Sequence, residues 1–135
     1  MRCGWIRADD PLILVSVLTD RRTGLQFYRP LGGGIEFGET SADALRREFT
    51  EELGFDVTPT SLLGVLENHF EFEGEPGHEI VHVYAVESSE IDALSLDTEL
   101  TVLDDGSPVI WKRRDELESG RRPFYPAGVL ELLPN

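Results

Sequence analysis

No part of the chain limits its fold more than the stretch from Thr40 to Gly54. Ala42, Leu45, Phe49 and Leu53 recur there at three- and four-residue steps, the period that gathers apolar side chains on one face of an α-helix. Thr40 with Asp43 three residues on is an N-terminal capping signature, and Gly54 stands where a left-handed C-cap closes a helix. The spacing predicts a helix over Ser41 to Leu53, about 20 Å long at 1.5 Å per residue. Its apolar stripe has to be covered by a sheet or by other helices.

The flanking sequence supplies strands for that purpose. Leu12 to Leu18 is a short apolar run rich in β-branched residues, bounded by Asp-Asp-Pro and by Asp20 to Gly24, and reads as a buried strand with Gln26 to Arg29 as its hairpin partner. Leu62 to Phe72 and Ile80 to Val86 read as two long strands joined by a loop over Glu73-Gly74-Glu75-Pro76-Gly77. Val109 to Lys112 reads as a further strand, Arg114 to Leu117 as a helical turn, Ala127 to Leu133 as a terminal helix, and the acidic Glu90 to Ser107 as loop with some strand. There is no linker-like stretch and no internal repeat, so residues 1–135 are expected to form one α+β domain. Strands and helices interleave irregularly, which suggests a mixed sheet covered by helices.

Charge narrows the function classes. Lys and Arg number 12 against 26 Asp and Glu, a formal net charge of −14. Binding to duplex nucleic acid or to an anionic membrane surface draws on Lys and Arg, so neither partner is expected. No run of the sequence approaches the roughly 18 consecutive apolar residues of a membrane span. The first ten residues lack the apolar core of a secretory signal, and the single Cys3 fits a reducing compartment, so the expected location is the cytoplasm.

On the helix, Glu48, Glu51 and Glu52 stand at i, i+3 and i+4, within about 100° of arc on one face. Like charges at that spacing repel, and a hard divalent cation would compensate them. Oxygen-only ligands select Mg²⁺, with Mn²⁺ as the alternative, over zinc. Ala44, one turn before Glu48, would leave space for such a cluster. By itself a Glu-x-x-Glu-Glu pattern is most often a solvated helix face; its surroundings set this one apart. Gly32-Gly33-Gly34 precedes the helix, Glu39 sits just before its cap, and Arg47 can reach Glu51 at i+4. A glycine-rich loop lets backbone groups approach a metal or a pyrophosphate closely, which makes Gly33 and Gly34 candidate substrate contacts.

Gly33, five residues, Glu39, seven residues, then Arg47-Glu48-Phe49-Thr50-Glu51-Glu52-Leu53-Gly54-Phe55 resembles the Nudix box, Gly-x5-Glu-x7-Arg-Glu-U-x-Glu-Glu-x-Gly-U with U apolar, at every defined position. With each residue type at about 5 to 7% abundance, such a match arises by chance less than once in roughly 10⁸ start points. The resemblance implies an α/β/α sandwich and a pyrophosphohydrolase that cleaves a nucleoside diphosphate linked to another group, by attack of water at phosphorus. It implies that Glu48, Glu51 and Glu52 hold the metal, with the Gly32 carbonyl as a further ligand. It also implies that Arg47 orients one of these carboxylates and that Glu39 supports the loop. A cation held there would neutralise charge on the diphosphate. The proline that often precedes the paired glycines in such families is displaced by one residue here, to Pro30. Around His69-Phe70-Glu71-Phe72 neither the proline associated with ADP-ribose hydrolases nor the tyrosine associated with dinucleoside polyphosphate hydrolases is present, so the substrate stays open. The rival reading is a Nudix-like sensor that binds a nucleotide without chemistry; a complete carboxylate set speaks for the enzyme.

Other residues are weighed against ordinary structural roles. Glu79 follows a glycine-containing loop, where a carboxylate can reach a diphosphate as general base or extra ligand, and Arg29 just before the glycine loop is a candidate phosphate contact. His78-Glu79-Ile80-Val81-His82 spells the H-E-x-x-H pattern of zinc proteases. That pattern needs a helix; in a strand its histidines lie about 13 Å apart and hold no common ion. Trp5, Phe70, Phe72 and Tyr84 are aromatic enough to stack a base, but strand aromatics usually belong to a core. Trp111 to Arg114 and Arg121-Arg122 read as solvated basic patches or as contacts in a homodimer.

Overall fold

The computed structural model describes residues 2–6, 12–94, 99–103 and 106–132. Strand β1 (Arg2–Ile6) is followed by β2 (Leu12–Thr19) and β3 (Gln26–Pro30), then helix α1 (Ser41–Leu53). Strands β4 (Thr58–Phe72) and β5 (Glu75–Glu87) form a long hairpin. A one-turn helix α2 (Ser89–Asp92), β6 (Leu100–Thr101), β7 (Pro108–Arg113), α3 (Arg114–Glu118) and a 3₁₀ turn (Leu130–Leu132) complete the order.

Two sheets result. One has the order β1-β5-β4, with β1 parallel to β5 and β4 antiparallel to it. The other has the order β3-β2-β7-β6 and is antiparallel throughout. Strand β2 is central and covered on both faces, which is why its sequence is a continuous apolar run without alternation. Ile13, Val15 and Val17 join Val81 and Val83 of β5 in one core between the sheets, closed by Leu117 and Val129. Leu14 faces the other way, into a second core built around Leu31, Leu45, Phe49, Val109 and Trp111. The fold is α+β, with a mixed sheet as expected. Among the described residues no helix is long and apolar enough to cross a membrane.

Helix α1 has the predicted bounds because both caps form. The Thr40 hydroxyl accepts from the Asp43 backbone N–H at 3.1 Å. Gly54 adopts φ 72°, and its N–H returns to the Thr50 carbonyl at 3.0 Å, a turn that costs a residue with a Cβ about 1 kcal/mol or more. The buried face is shifted from the expected stripe. Ala44, Leu45, Glu48 and Phe49 are buried, whereas Ala42 and Leu53 lie at its margins. Ala44 therefore belongs to the core and does not open space beside the carboxylates.

Other expectations need correction. The loop expected over Glu73 to Gly77 is a two-residue turn: Glu73 (φ 53°) and Gly74 (φ 82°) both have positive φ, and Phe72 already pairs with Glu75, the tight geometry that matches strand twist. Pro76 is tolerated within β5 because β1 pairs with β5 only from Val81 to Ala85, so among the described residues no strand on that side wants its missing N–H. The tip is held by Asp20, whose carboxylate accepts from the N–H groups of Glu73 at 2.9 Å, Arg22 at 2.8 Å and Thr23 at 3.2 Å. The terminal helix expected over Ala127 to Leu133 is a turn followed by the 3₁₀ segment, because Gly128 sits at φ 92°; position 133 lies outside the described residues. Strand β1 was not anticipated from the sequence. In the stretch expected to be loop, the structure places α2 and β6; residues 95–98 and 104–105 lie outside the described residues.

Phe49 is 1% exposed at the centre of the second core. Phe49→Ala is expected to destabilise the protein by about 3 to 5 kcal/mol, measured by urea unfolding; an unchanged midpoint would contradict this packing.

Candidate active site

The glycine loop between β3 and α1 and the exposed side of α1 meet at one guanidinium. Arg47 donates through Nε and one terminal nitrogen to both oxygens of Glu39, at 3.1 and 2.6 Å, and through that same nitrogen to the Gly34 carbonyl at 2.9 Å. Its other nitrogen donates to Glu48 Oε1 at 3.0 Å and Glu51 Oε2 at 3.1 Å, and lies 3.8 Å from Glu36. Only a planar fork with five N–H donors serves so many acceptors from one position. Glu48 and Glu51 each keep their second oxygen outside this network.

The electrostatics follow from these bonds. The hydrogen bonds from Arg47 hold the Glu39 carboxyl below its ordinary value, helped by the Glu36 N–H, which donates to Glu39 Oε1 at 2.8 Å. Reciprocally, the bonds to Glu39, against a desolvation penalty, raise the Arg47 guanidinium still further above its ordinary range. The pair is thus locked in its charged form at neutral pH.

Glu48 is buried, 9% exposed on the flank of the core. It fits because Gly33 lies directly against it: a Cβ at Gly33 would overlap all three atoms of the Glu48 carboxylate group. Glu51 is half exposed. Glu52 lines a small cleft of about 60 Å³ together with Ser16, Arg29, Gly32 and Ser107. The donors along this side of the helix and loop are oxygen only: the carboxylates of Glu48 and Glu51, which Arg47 joins, and that of Glu52, which lines the cleft with Gly32; the three carboxylates are not gathered within 4.8 Å of one another. A hard divalent cation fits that chemistry, and the missing Cβ at Gly33 leaves the space that the Glu48 carboxylate occupies.

Arg29 and Glu79 come together across the two sheets. The Arg29 guanidinium pairs with Glu79 Oε1, both side chains being largely buried, and Asn68 Nδ2 donates to the same oxygen at 3.0 Å. Ser16 Oγ donates to the Arg29 carbonyl at 3.4 Å. Arg29 therefore borders the cleft beside Glu52 while it pairs with Glu79, which Asn68 in turn bonds. Glu36, Ser16 and Asn68 were not anticipated as parts of this site. Only Ser16 carried a sequence signal, as a polar residue inside the apolar Leu12 to Leu18 run; Asn68 sits between Glu67 and His69. Gly34 contributes its carbonyl to Arg47.

His78, Glu79 and His82 all lie on β5, so the H-E-x-x-H pattern has no helix. Phe70 covers Gly77, where a Cβ would overlap its ring, and Phe72 meets Phe27 edge to face at 5.8 Å. The Tyr84 hydroxyl bonds to Ser41. These aromatics are structural. The side chain of Trp5 lies outside the described residues.

Comparison with known proteins places this geometry. A family profile described as NUDIX domain matches residues 6–128. The chain is similar to the nucleoside triphosphatase NudI of Escherichia coli, 27% identical over 120 residues that cover 85% of this chain and 82% of the relative. It is similar at 28% to the NudI of Salmonella heidelberg over the same shares. In structure it resembles a NUDIX hydrolase from Nitrosomonas europaea, TM-score 0.69 at 20% identity over 97% of this chain and 83% of the other. It also resembles the MutT NUDIX hydrolase from Burkholderia pseudomallei, TM-score 0.65 at 24% identity over 97% and 93%. These two likenesses show the fold.

Two outcomes are expected. Because the folded Glu39 carboxyl is held below its ordinary value of 4.5, its contribution to stability is complete above that value. It is lost as the pH falls through the folded value. The stability gap between wild type and Glu39→Gln is therefore constant near neutrality and closes on acidification, a trend that denaturant unfolding at several pH values checks. Gly33→Ala is expected to keep the far-UV circular dichroism of the wild type while weakening Mn²⁺ binding, read by titration, since its Cβ displaces the Glu48 carboxylate. Undiminished Mn²⁺ affinity would show that this close approach is unimportant.

Proposed function

This chain belongs to the Nudix family, hydrolases of phosphoanhydride bonds, and from that premise we propose that it is a Mg²⁺-dependent pyrophosphohydrolase of nucleoside diphosphate derivatives. The observation that carries the reading is the Glu48 carboxylate, buried against Gly33 and tied through Arg47 to Glu39 and Glu51. Such an arrangement keeps several acids together at a point where they repel one another, and a solvated surface helix has no use for it.

In this proposal Glu48, Glu51, Glu52 and the Gly32 carbonyl hold the metal. When bound, the cation supplies charge neutralisation on the diphosphate oxygens and a more acidic water. The chain's own residues do the rest. Arg47 fixes the direction of the Glu48 and Glu51 carboxylates and keeps the glycine loop in place through Gly34 and Glu39. Arg29, on the wall shared with Glu52, takes a phosphate oxygen of the substrate, and the loop at Gly33 and Gly34 lets the diphosphate approach the backbone. Glu79 already accepts from Arg29 and Asn68, which favours its orienting Arg29 over its abstracting a proton. Glu52, the cleft-lining carboxylate, is then the group assigned to take the proton of the water that attacks phosphorus. Water in the reaction makes a covalent enzyme intermediate unnecessary.

Nucleoside triphosphates are the first substrates to test, since the similar NudI proteins are described as nucleoside triphosphatases. A cytoplasmic setting belongs to the same proposal and rests on the acidic composition and the single cysteine. The deciding measurement is release of phosphate or pyrophosphate from a panel of nucleoside triphosphates, ADP-ribose and dinucleoside polyphosphates with Mg²⁺. Glu52→Gln is expected to lower turnover by more than the roughly 10- to 100-fold typical of losing a residue that only supports a metal ligand. Wild-type turnover in that variant at saturating Mg²⁺ would refute the assignment.

A further inference from the structure

We propose that the outer face of the β4–β5 hairpin carries a second metal site, formed by Glu67, His69 and His78 and suited to a borderline transition-metal ion such as Zn²⁺. Register alone brings the three together. His69 stands directly opposite His78, and Glu67 lies two residues along β4 on the same face. The imidazoles lie stacked, ring centroids 4.0 Å apart and planes 15° from parallel, so each ring has to turn out of the stack to aim a nitrogen at a common ion. One ligand atom from each of the three residues can be chosen so that all lie within 4.8 Å of one another. Four-coordinate zinc with bonds of about 2.0 to 2.1 Å wants its ligand atoms about 3.3 Å apart, a contraction within reach of exposed side chains that turn about their outer torsions. Among the described residues none of the three side chains has a hydrogen bond or ion pair of its own to give up.

The donor chemistry separates this site from the oxygen-only wall at Glu48, Glu51 and Glu52. Two imidazoles and one carboxylate suit zinc, nickel or copper, while Mg²⁺ avoids nitrogen ligands. The H-E-x-x-H pattern is thereby read differently from its usual sense: His78 finds its metal partner across the hairpin in His69, and His82, four residues on in the same strand, takes no part. Three protein ligands leave a fourth position open, the arrangement of an ion that accepts water or an outside group. Position gives the site a consequence. Glu79, which pairs with Arg29, and Asn68, which donates to Glu79, alternate with these residues along the same two strands and project to the opposite face. An ion bound by Glu67, His69 and His78 clamps β4 to β5 directly behind that pair.

The test uses the full chain, stripped with chelator and kept in excess Mg²⁺ so that the carboxylate wall is occupied by the harder ion. Calorimetric titration with Zn²⁺ alone is expected to show one equivalent bound, with a rise in melting temperature. The imidazole resonances of His69 and His78 should shift, and those of His82 should stay. His69→Gln and His78→Gln, which keep a polar side chain of similar reach, should each weaken Zn²⁺ binding by roughly 10-fold or more, on the scale that even outer ligand supports reach. Glu51→Gln should leave it unchanged. Circular dichroism of each variant verifies the fold. Zn²⁺ binding that leaves both imidazoles unshifted, equal affinity in the His69→Gln/His78→Gln double variant, or no binding at all would overturn the site.

Discussion

The site depends on the bonding of Arg47. Glu48 and Glu51 lie on one helix face, where like charges cost a few tenths of a kcal/mol per pair in solvent and more where water is scarce. Arg47 offsets this from within the helix, and it reaches back across the loop to Glu39 and Gly34 at the same time. One side chain thus sets both the direction of the acids and the path of the glycine loop against them. A lysine has three donors on a tetrahedral head and no fork, so it could neutralise charge at this position but not tie loop to helix. Both halves of the site inherit their geometry from a single planar group.

Glu48 shows what that arrangement costs the fold. A carboxylate at the rim of a buried face runs against the pattern that otherwise governs α1, where Ala44, Leu45 and Phe49 turn inward. Such a group is tolerated only when its charge is paired and its oxygens are bonded. The pairing comes from Arg47 and the space from Gly33. The local rule is broken where chemistry is expected, and the capped helix ends and two apolar cores on either side supply the stability that makes the exception tolerable.

This also explains what could be read from the sequence. The bounds of helix α1 were legible to the last residue because period, N-cap and C-cap agreed; that Glu48 turns onto the flank of the core was not, because its place depends on the space left by Gly33. The β2–β3 hairpin and β7 were legible from β-branched runs. Strand β1 was not: its parallel partner lies some eighty residues away, and nothing in a five-residue stretch announces a distant pairing. The terminal segment misled because its apolar residues suit a helix, while Gly128 at positive φ selects a turn. Arg29 and Glu79 were singled out separately, each for its place beside a glycine loop; that they pair is a fact of tertiary structure. Asp20 looked like punctuation and proved to be the acceptor that joins two hairpin tips.

The β4–β5 hairpin brings these threads together. A strand alternates its faces residue by residue, so a slip of one position would exchange everything on the inner face with everything on the outer. Glu79 then would leave Arg29, Asn68 would leave Glu79, and Glu67, His69 and His78 would turn into the core. Register in this hairpin is therefore under two demands at once. The two positive-φ residues at Glu73 and Gly74 set it from the tip, and the bond from the Glu73 N–H to Asp20 anchors that tip to the neighbouring hairpin. Phe70 over Gly77 fixes it again one pair nearer the tip than the histidines, since only glycine leaves room for that ring. The parts of the hairpin that touch neither acid nor histidine are the parts that decide where both are placed.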